Sequence, residues 1–416
     1  MMRRIFTLCL FVAAIPPGAT VAFAQETAPG RIVILDRDLH RIAGSLESFS
    51  ANTLQYTDST GRSRSIERAR VLALFGTRLH SASVPSALSA GDGSGGVPGI
   101  LRLTDGQVVP GFLIASDSPG ESLSWRSRRI GQFVVPLERA SSLALSDAVH
   151  EEQSPQRDTA VLANGDRLEG FVVSIGKQLV IEVGGKNNAI PIDRATQIEL
   201  ANPVEPGALP LVFLSDGSAL AATDLASASS PGKPSAPSAT ATAQWALASD
   251  GGTGLVDIES IDSILFEPRA VVPLASIPIE HSVGLEGRRW TPTPFISPVN
   301  SAPLGLASIT ISGPAQVDWI LPDGSQKFGA SIMLPPGAAP WGNAAVSILV
   351  ADASGSFREV AKAELSADKP AADIVANVTD GSVLRLEVRS RAYSDVQSRV
   401  TLGEPLVLRK PNSTRR

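Results

Sequence analysis

The sequence of 416 residues is longer than one ordinary domain, and its 43% hydrophobic content is enough to bury more than one core. Its formal net charge of −5 argues against nucleic-acid binding, which normally requires a basic face. With 36 glycines, 31 prolines and no long run of strong helix formers, the composition predicts a turn-rich, all-β protein.

The first 24 residues have the three parts of a secretory signal peptide. A basic segment, MMRR, precedes the apolar segment IFTLCLFVAAI and the small residues AFA, which end at Ala24. We therefore expect a mature chain that begins at Gln25 and lies outside the cytoplasm, in the periplasm or secreted. Cys9 is the only cysteine, so the mature chain would hold no disulfide. No later segment reaches transmembrane length, and no membrane span is predicted.

A turn motif then recurs four times, as LDRDLHRIAG, LTDGQVVPG, LANGDRLEG and LSDGSALAA. The turn residues Asp38, Asp105, Asn164 and Asp216 are followed six residues later by Gly44, Gly111, Gly170 and Ala222. Asp-Gly and Asn-Gly accept the positive φ of a tight hairpin turn. The later glycine predicts a sharply bent strand or the close approach of another backbone.

A second signature completes each unit, and it reads SIERARVLAL, VPLERASSLAL, IPIDRATQIEL or VDIESIDSILF. The segments between the two signatures alternate as hairpins do, so each unit should contain four or five short strands. The predicted β units are 31–80, 98–147, 159–203 and 209–268. Such short units bury little surface alone, which favours packing against neighbours. We interpret the repeated acid–Arg pair as a solvated turn rather than a ladder of binding groups, because exposed ion pairs contribute little.

Polar segments rich in small residues, proline or glycine separate the units at 81–98 and 150–158. A similar segment, 226–243, interrupts the fourth unit, and its lack of large apolar side chains predicts a disordered insertion. The linker sequence GDGSGG at 91–96 has a dinucleotide-binding spacing and resembles the serine-protease sequence GDSGG with one glycine inserted. It lacks the strand and helix that a dinucleotide site needs, and Ser94 has no recognisable histidine and acid partners. We interpret it as a linker.

No combination of residues predicts catalysis, a metal site or a cofactor. The four histidines are His40, His80, His150 and His281. Three of them stand in turn or linker contexts, and no two have metal-binding spacing. Asp36 and Asp38 are candidate paired carboxylates, but they belong to the first repeat turn, where aspartate is a common turn former. We therefore expect a non-catalytic protein; an enzyme whose pocket cannot be read from residue spacing is the third candidate.

Longer strands begin at about Val283 and form a second region, predicted at 275–410. Val317, Trp319 and Leu321 alternate onto one face and are predicted core residues. AVSILVAD followed by SGSFREV predicts a strand, a turn and a strand, and VLRLEV alternates as a half-exposed strand does. The region has the size of a single β-sandwich domain.

Several segments of this region share an order with a known family: LGLAS, VDWILPDGSQKFGASIML, VSILVADASG, ADIVANVTDGSVLRLEV and the closing GEPLVL. In these segments the chain resembles the NPCBM type of carbohydrate-binding module, which is associated with glycosyl hydrolase family 98. The resemblance implies a galactose-binding-like jelly roll. The family has a histidine where LGLAS stands and a tryptophan before the last strand; VQSRVTL lacks that tryptophan, whereas Asp395 keeps the first acid. The preceding repeats resemble Sm-like or SH3-like small barrels, which implies architecture rather than a ligand.

Together with the signal-peptide pattern and the absence of a catalytic motif, the resemblance implies a secreted, non-catalytic carbohydrate-binding protein of the bacterial cell envelope, whose partner is a polysaccharide or another glycan. The candidate binding residues are Trp341 in PPGAAPWGN, Trp290 in GRRWTPTPF, and Asp395 as an acceptor of hydroxyl hydrogen bonds. A packed loop anchor is the alternative role of Trp341. The second candidate function is an envelope scaffold whose tandem units bind other proteins through exposed strand edges.

Overall fold

The computed structural model describes residues 31–76, 96–114, 120–146, 156–227, 240–247, 253–257, 260–297, 303–337, 342–391 and 398–410. Their regular structure consists of β-strands and single turns of 3-10 helix, so the predicted all-β class is confirmed. The predicted signal peptide lies outside the described residues, as do most of the predicted linkers. No helix of the described ranges is long and apolar enough to cross a membrane.

The repeated region contains four units of five strands. Unit 1 comprises β1 (Arg31–Asp36), β2 (Arg41–Phe49), β3 (Thr53–Asp58), β4 (Ser63–Glu67) and β5 (Val71–Gly76). Unit 2 comprises β6 (Val97–Leu103), β7 (Val108–Ile114), β8 (Ser122–Ser127), β9 (Gly131–Pro136) and β10 (Ala140–Ala144). Unit 3 comprises β11 (Asp158–Leu162), β12 (Arg167–Ile175), β13 (Gln178–Val183), β14 (Lys186–Pro191) and β15 (Ala195–Glu199). Unit 4 comprises β16 (Leu211–Leu214), β17 (Ala219–Ser227), β18 (Thr240–Trp245), β19 (Thr253–Asp257) and β20 (Ile261–Leu265).

All four units share one strand order. The antiparallel order in unit 1 is β5-β1-β2-β3-β4, and the other units repeat it. In units 1 to 3, a single turn of 3-10 helix joins the fourth strand to the fifth, and it contains or adjoins the acid–Arg pair. Glu138 and Arg139 of unit 2 and Asp193 and Arg194 of unit 3 are exposed, which agrees with a solvated turn.

The units are joined through their fifth strands. β10 of unit 2 pairs antiparallel with β15 of unit 3, with Leu143 opposite Ile198. β5 of unit 1 pairs in the same way with β20 of unit 4, with Ala73 opposite Leu265. One further pairing, between β7 and β17, links the two pairs of units. The backbone hydrogen bonding therefore continues from unit to unit, and one apolar cluster contains residues of all four units.

The predicted disordered insertion at 226–243 differs from the structure at both ends. β17 continues to Ser227, β18 begins at Thr240, and Ala226 pairs with Thr242. The small residues at the two ends of the segment are compatible with strands because ladder hydrogen bonds use the backbone rather than the side chains. The middle of the segment, 228–239, lies outside the described residues.

The C-terminal region is a sandwich of two antiparallel sheets. Its strands are β21 (Val271–Pro273), β22 (Ile279–Gly284), β23 (Phe295–Ile296), β24 (Ile309–Ser312), β25 (Ala315–Ile320), β26 (Ser325–Met333), β27 (Ala344–Ala351), β28 (Phe357–Leu365), β29 (Ala371–Asn377), β30 (Val383–Ser390) and β31 (Arg399–Arg409). One sheet has the order β23-β24-β31-β26-β29 with β21 also paired to β31, and the other has the order β22-β25-β30-β27-β28. Because β21 pairs with β31, the sandwich begins at Val271, ahead of the predicted start at 275.

The predicted core residues of the sandwich are confirmed. Val317 and Trp319 are 0% exposed and Leu321 is 6% exposed. They pack in one apolar cluster with residues of the facing sheet, such as Phe328 and Val407. The predicted strand–turn–strand at VSILVADASG is the antiparallel pair β27 and β28.

A third apolar cluster joins the repeats to the sandwich, and Leu39 is one of its buried residues. Leu39 has a φ of 64°, at the turn position where Gly106, Gly165 and Gly217 have φ of 90°, 88° and 82°. Leucine is strained in this left-handed region, but here its side chain is 4% exposed. It lies so close to Gly329 of β26 that a Cβ on that glycine would be 2.9 Å from Leu39 Cδ1. Packing of the Leu39 side chain against the sandwich therefore keeps the backbone of this turn in its strained, left-handed conformation.

Charged pairs surround this interface. Arg41 of β2 contacts Glu404 of β31 at 2.8 Å and Asp373 of β29 at 3.3 Å. Lys327 of β26 donates a hydrogen bond to Asp38, and this ammonium group lowers the pKa of the Asp38 carboxyl below its ordinary value of 3.8. Since the carboxyl is acidified in the folded state, this pair stabilises the protein above pH 3.8, and its contribution is lost as the pH falls further.

Candidate functional site

Trp290 is the one predicted sugar-binding residue that falls within the described ranges, because Trp341 and Asp395 lie outside them. Its side chain is 70% exposed. By contrast, the other tryptophans of the described residues, Trp125, Trp245 and Trp319, are at most 4% exposed. Trp290 lies on the connection between β22 and β23, where the chain passes from the edge of one sheet to the edge of the other.

The connection that carries Trp290 is held on both sides of the ring. Arg288 Nη1 donates hydrogen bonds to the carbonyl oxygens of Gly313 at 2.6 Å and Ser312 at 3.3 Å. Thr291 Oγ1 also donates to the Ser312 carbonyl oxygen, at 3.3 Å. These bonds fix the backbone beside Trp290 to the turn between β24 and β25, so the exposed indole is presented from a restrained segment.

Two further apolar side chains are exposed at the same edge of the sandwich. In β23, Phe295 is 65% exposed and Ile296 is 39% exposed. We call Trp290, Phe295 and Ile296 the edge surface. Aromatic faces of this kind can pack on the C–H face of a sugar ring, and the exposed Arg289 beside Trp290 carries a planar set of hydrogen-bond donors.

Sequence reasoning missed Phe295. The prolines of TPTPFIS are a signal for an edge strand, because proline cannot donate a ladder hydrogen bond. What decides its exposure is that β23 is a two-residue edge strand, and this follows from its pairing with β24.

The Asp36, Asp38 and His40 group is the one set in the described part of the chain whose potential ligand atoms lie within 4.8 Å of one another. Asp36 Oδ1 accepts hydrogen bonds from the backbone N–H groups of Asp38 and His40, each at 2.8 Å. Asp38 in turn is bound by Lys327. These bonds show the carboxylates stabilising the first repeat turn and its interface, as the turn-former interpretation predicted.

A second charged group lies on the outer face of the sandwich, and its members are paired with one another. Arg385 of β30 donates two hydrogen bonds to the carboxylate of Asp318, each at 2.9 Å. The same guanidinium stacks 3.5 Å from the centre of the Phe357 ring. His281 is exposed and stands opposite Asp318 on the edge strand β22. In this bidentate pair both carboxylate oxygens of Asp318 accept a hydrogen bond, and the Arg385 guanidinium is already engaged by Asp318.

Comparison with known proteins gives matches to solved structures alone. No protein-family model matches the chain, and no curated protein matches it. The CBM51-2 and INT domains of ZmpB from Clostridium perfringens match at 10% identity and a TM-score of 0.27, covering 41% of this chain and 37% of that one. CBM51 of a Clostridium perfringens GH95 protein, in complex with methyl-galactose, matches at 10% identity and a TM-score of 0.26, covering 33% of this chain and 99% of that one.

A third match is the M60 catalytic domain of Clostridium perfringens ZmpB with its CBM51-1 and CBM51-2 domains. Its identity is 9% and its TM-score 0.27, and the match covers 91% of this chain and 51% of that one. All three structures contain carbohydrate-binding modules. TM-scores this low do not establish a shared overall fold, so the β-sandwich assignment stands on the strand pairing described above.

Proposed function

We propose that this chain is a secreted, non-catalytic carbohydrate-binding protein of the bacterial cell envelope, and that its C-terminal sandwich recognises the glycan. The observation that carries the proposal is the 70% exposed ring of Trp290 on a restrained connection. A ring already held in place loses little conformational freedom when it stacks on a sugar, so more of the contact energy contributes to affinity.

Two features of the sequence support the same function. The order of segments in the sandwich resembles the NPCBM type of module associated with glycosyl hydrolase family 98, and residues 1–24 resemble a signal peptide that would place the protein in the periplasm or outside the cell. In this proposal Trp341 and Asp395 contribute further contacts to the glycan.

Binding of a neutral polysaccharide panel by the full mature chain tests the proposal. Trp290→Ala is expected to weaken binding by about 1 kcal/mol, or about fivefold, through loss of the stacked ring. The melting midpoint should stay unchanged because the side chain is exposed. Affinity and melting are to be measured on the same samples.

Phe171→Ala provides the matched control, because Phe171 is an aromatic residue with 65% exposure in unit 3 rather than in the sandwich. Glycan affinity should be unaffected by that change. No binding to any polysaccharide by the mature chain, or equal losses in the Trp290 and Phe171 variants, would contradict the proposal.

A specific observation favours the scaffold alternative as a second function. Among the described strands, the fourth strand of each unit pairs with the third strand alone. Such one-sided strands have backbone groups available for another chain. Other envelope proteins are therefore proposed as further partners.

A further inference from the structure

A groove of about 600 Å³ lies between units 2 and 3, at one end of the β10–β15 ladder. Leu137 and Glu138 of unit 2 line one side, and Arg157 and Phe171 of unit 3 line another. The groove is in the repeated region and contains no residue of the edge surface.

Four hydrogen bonds fix the walls of this groove. The two carboxylate oxygens of Asp158 accept bonds from the backbone N–H groups of Ala201 and Val172, each at 2.7 Å. Asn202 Nδ2 donates to the carbonyl oxygens of Leu137 and Ala140, at 2.8 and 2.7 Å. The Asp158 bonds fix the wall that unit 3 contributes, and the Asn202 bonds hold that wall against unit 2, so the groove is formed before any ligand arrives.

The internal repeat shows which ligand chemistry fits the Phe171 ring. In unit 2 the equivalent residue is Phe112, which follows Gly111 as Phe171 follows Gly170. Phe112 is 5% exposed, and the guanidinium of Arg126 lies 5.6 Å from the centre of its ring. Arg126 is the residue directly opposite Phe112 on the third strand. Unit 2 therefore supplies its own cation to this aromatic position.

Unit 3 has an acid where unit 2 has that arginine. The residue directly opposite Phe171 is Glu182, and the ring of Phe171 is 65% exposed. Glu138 and Glu121 add two exposed carboxylates along the groove, against the single base Arg157. An aromatic face beside carboxylates attracts a cation through two interactions: the cation–π attraction of the ring quadrupole and the Coulomb attraction of the carboxylates.

We propose that this groove binds an arginine side chain of an extended, basic peptide segment on a partner protein. The guanidinium stacks on Phe171, in the place that Arg126 occupies over Phe112, and pairs with Glu182. Arginine suits the position better than lysine because its planar group stacks on a ring while it donates to a carboxylate. Exposed Val134, two residues before the groove residue Pro136 on β9, extends the apolar contact along the peptide.

The test uses the full mature chain and a fluorescently labelled hexa-arginine peptide, followed by fluorescence anisotropy. Phe171→Ala is expected to weaken binding about fivefold by removing the cation–π contact. Glu182→Arg places the cation of unit 2 over the ring and should weaken binding by about tenfold or more. Hexaglutamate should not bind, and raising the salt concentration should weaken hexa-arginine binding.

Matched variants separate this groove from the general acidity of the chain. Asp193→Arg makes the same charge change as Glu182→Arg at an exposed residue that is not paired with Phe171 and does not line the groove, and Phe295→Ala removes a phenylalanine of equal 65% exposure in the sandwich. Both should bind hexa-arginine within about twofold of the wild type, since screened charges at a distance contribute little. Equal losses for the Asp193 and Glu182 variants, or unchanged binding by Phe171→Ala, would overturn the proposal. Binding of a neutral glycan that Phe171→Ala abolishes would also overturn it.

Discussion

The absence of a side chain at one glycine lets the second strand of a unit lie very close to the backbone of the third strand. A Cβ on Gly44 would lie 2.6 Å from the carbonyl oxygen of Thr57. A Cβ on Gly111 or Gly170 would overlap the equivalent oxygens of Arg126 and Glu182. The predicted close approach of another backbone is therefore confirmed in three units, and it explains why glycine recurs six residues after the turn.

Replacing Gly170 by alanine should destabilise unit 3 by about 1–3 kcal/mol, because the added methyl group forces β12 away from β13. Urea unfolding of the variant measures the loss. Gly120→Ala is the control, since a Cβ there meets no atom within 4 Å. If the two variants unfold at the same urea concentration, the close approach is not a constraint in solution.

Pairing of fifth strands joins the four short units into two pairs, which the β7–β17 pairing then links. At the junction of units 2 and 3, Leu143 and Ile198 meet at the centre of the β10–β15 ladder, and both side chains are 0% exposed. The two junctions share one register: Leu143 faces Ile198 in one, and Leu74 faces Ile264 in the other. These four residues are equivalent, because each pairs with the residue four positions before the turn Asp or Asn of its own unit. Each junction buries apolar side chains that a separate unit would expose to water.

Leu143→Ala should lower the free energy of unfolding by about 2–5 kcal/mol, because it leaves a cavity at this junction. Ile198→Ala should act through the same contact, so the double variant should lose less than the sum of the two single losses. Chemical denaturation of the three variants measures this coupling. Strict additivity would show that the two side chains do not share a packed junction.

On the scale of the whole molecule, strained backbone concentrates where the repeats meet the sandwich. Within the described residues, five non-glycine residues have positive φ, and Leu39, Leu304 and Glu404 among them are at this interface. The backbone N–H of Leu304 donates to Ser263 Oγ of unit 4 at 3.1 Å, and Glu404 pairs with Arg41 of unit 1. Strain of this kind persists only where surrounding contacts determine the conformation.

Leu39→Gly tests whether these contacts unite the molecule. Glycine relieves about 1–2 kcal/mol of backbone strain, but removing a buried leucine costs about 2–5 kcal/mol. We expect a net loss of stability and, in calorimetry, separation of the repeats and the sandwich into two unfolding transitions. Leu209→Gly, in a 37% exposed linker position, should retain the wild-type profile. A Leu39→Gly variant as stable as the wild type would show that the interface is not coupled.

Local patterns determined the strands, the turns, the repeat and much of the core, because alternation and Asx-Gly turns act over a few residues. The alternation of apolar residues around Trp319 was enough to predict that it lies in the core, and Trp290 could be named as a candidate sugar-binding residue. The exposure of Phe295 was not predictable in the same way, since it depends on how short its edge strand is.

Tertiary structure decided what depends on partners far away in the sequence. Phe112 and Phe171 occupy the same repeat position, yet Phe112 is 5% exposed opposite Arg126, whereas Phe171 is 65% exposed opposite Glu182. Leu39 is a second example. The sequence shows only that a leucine replaces the glycine of the repeat turn, whereas the structure shows that this leucine packs against Gly329, on a strand of the sandwich. Contacts between distant segments leave no periodic signal, since either segment alone satisfies its local rules.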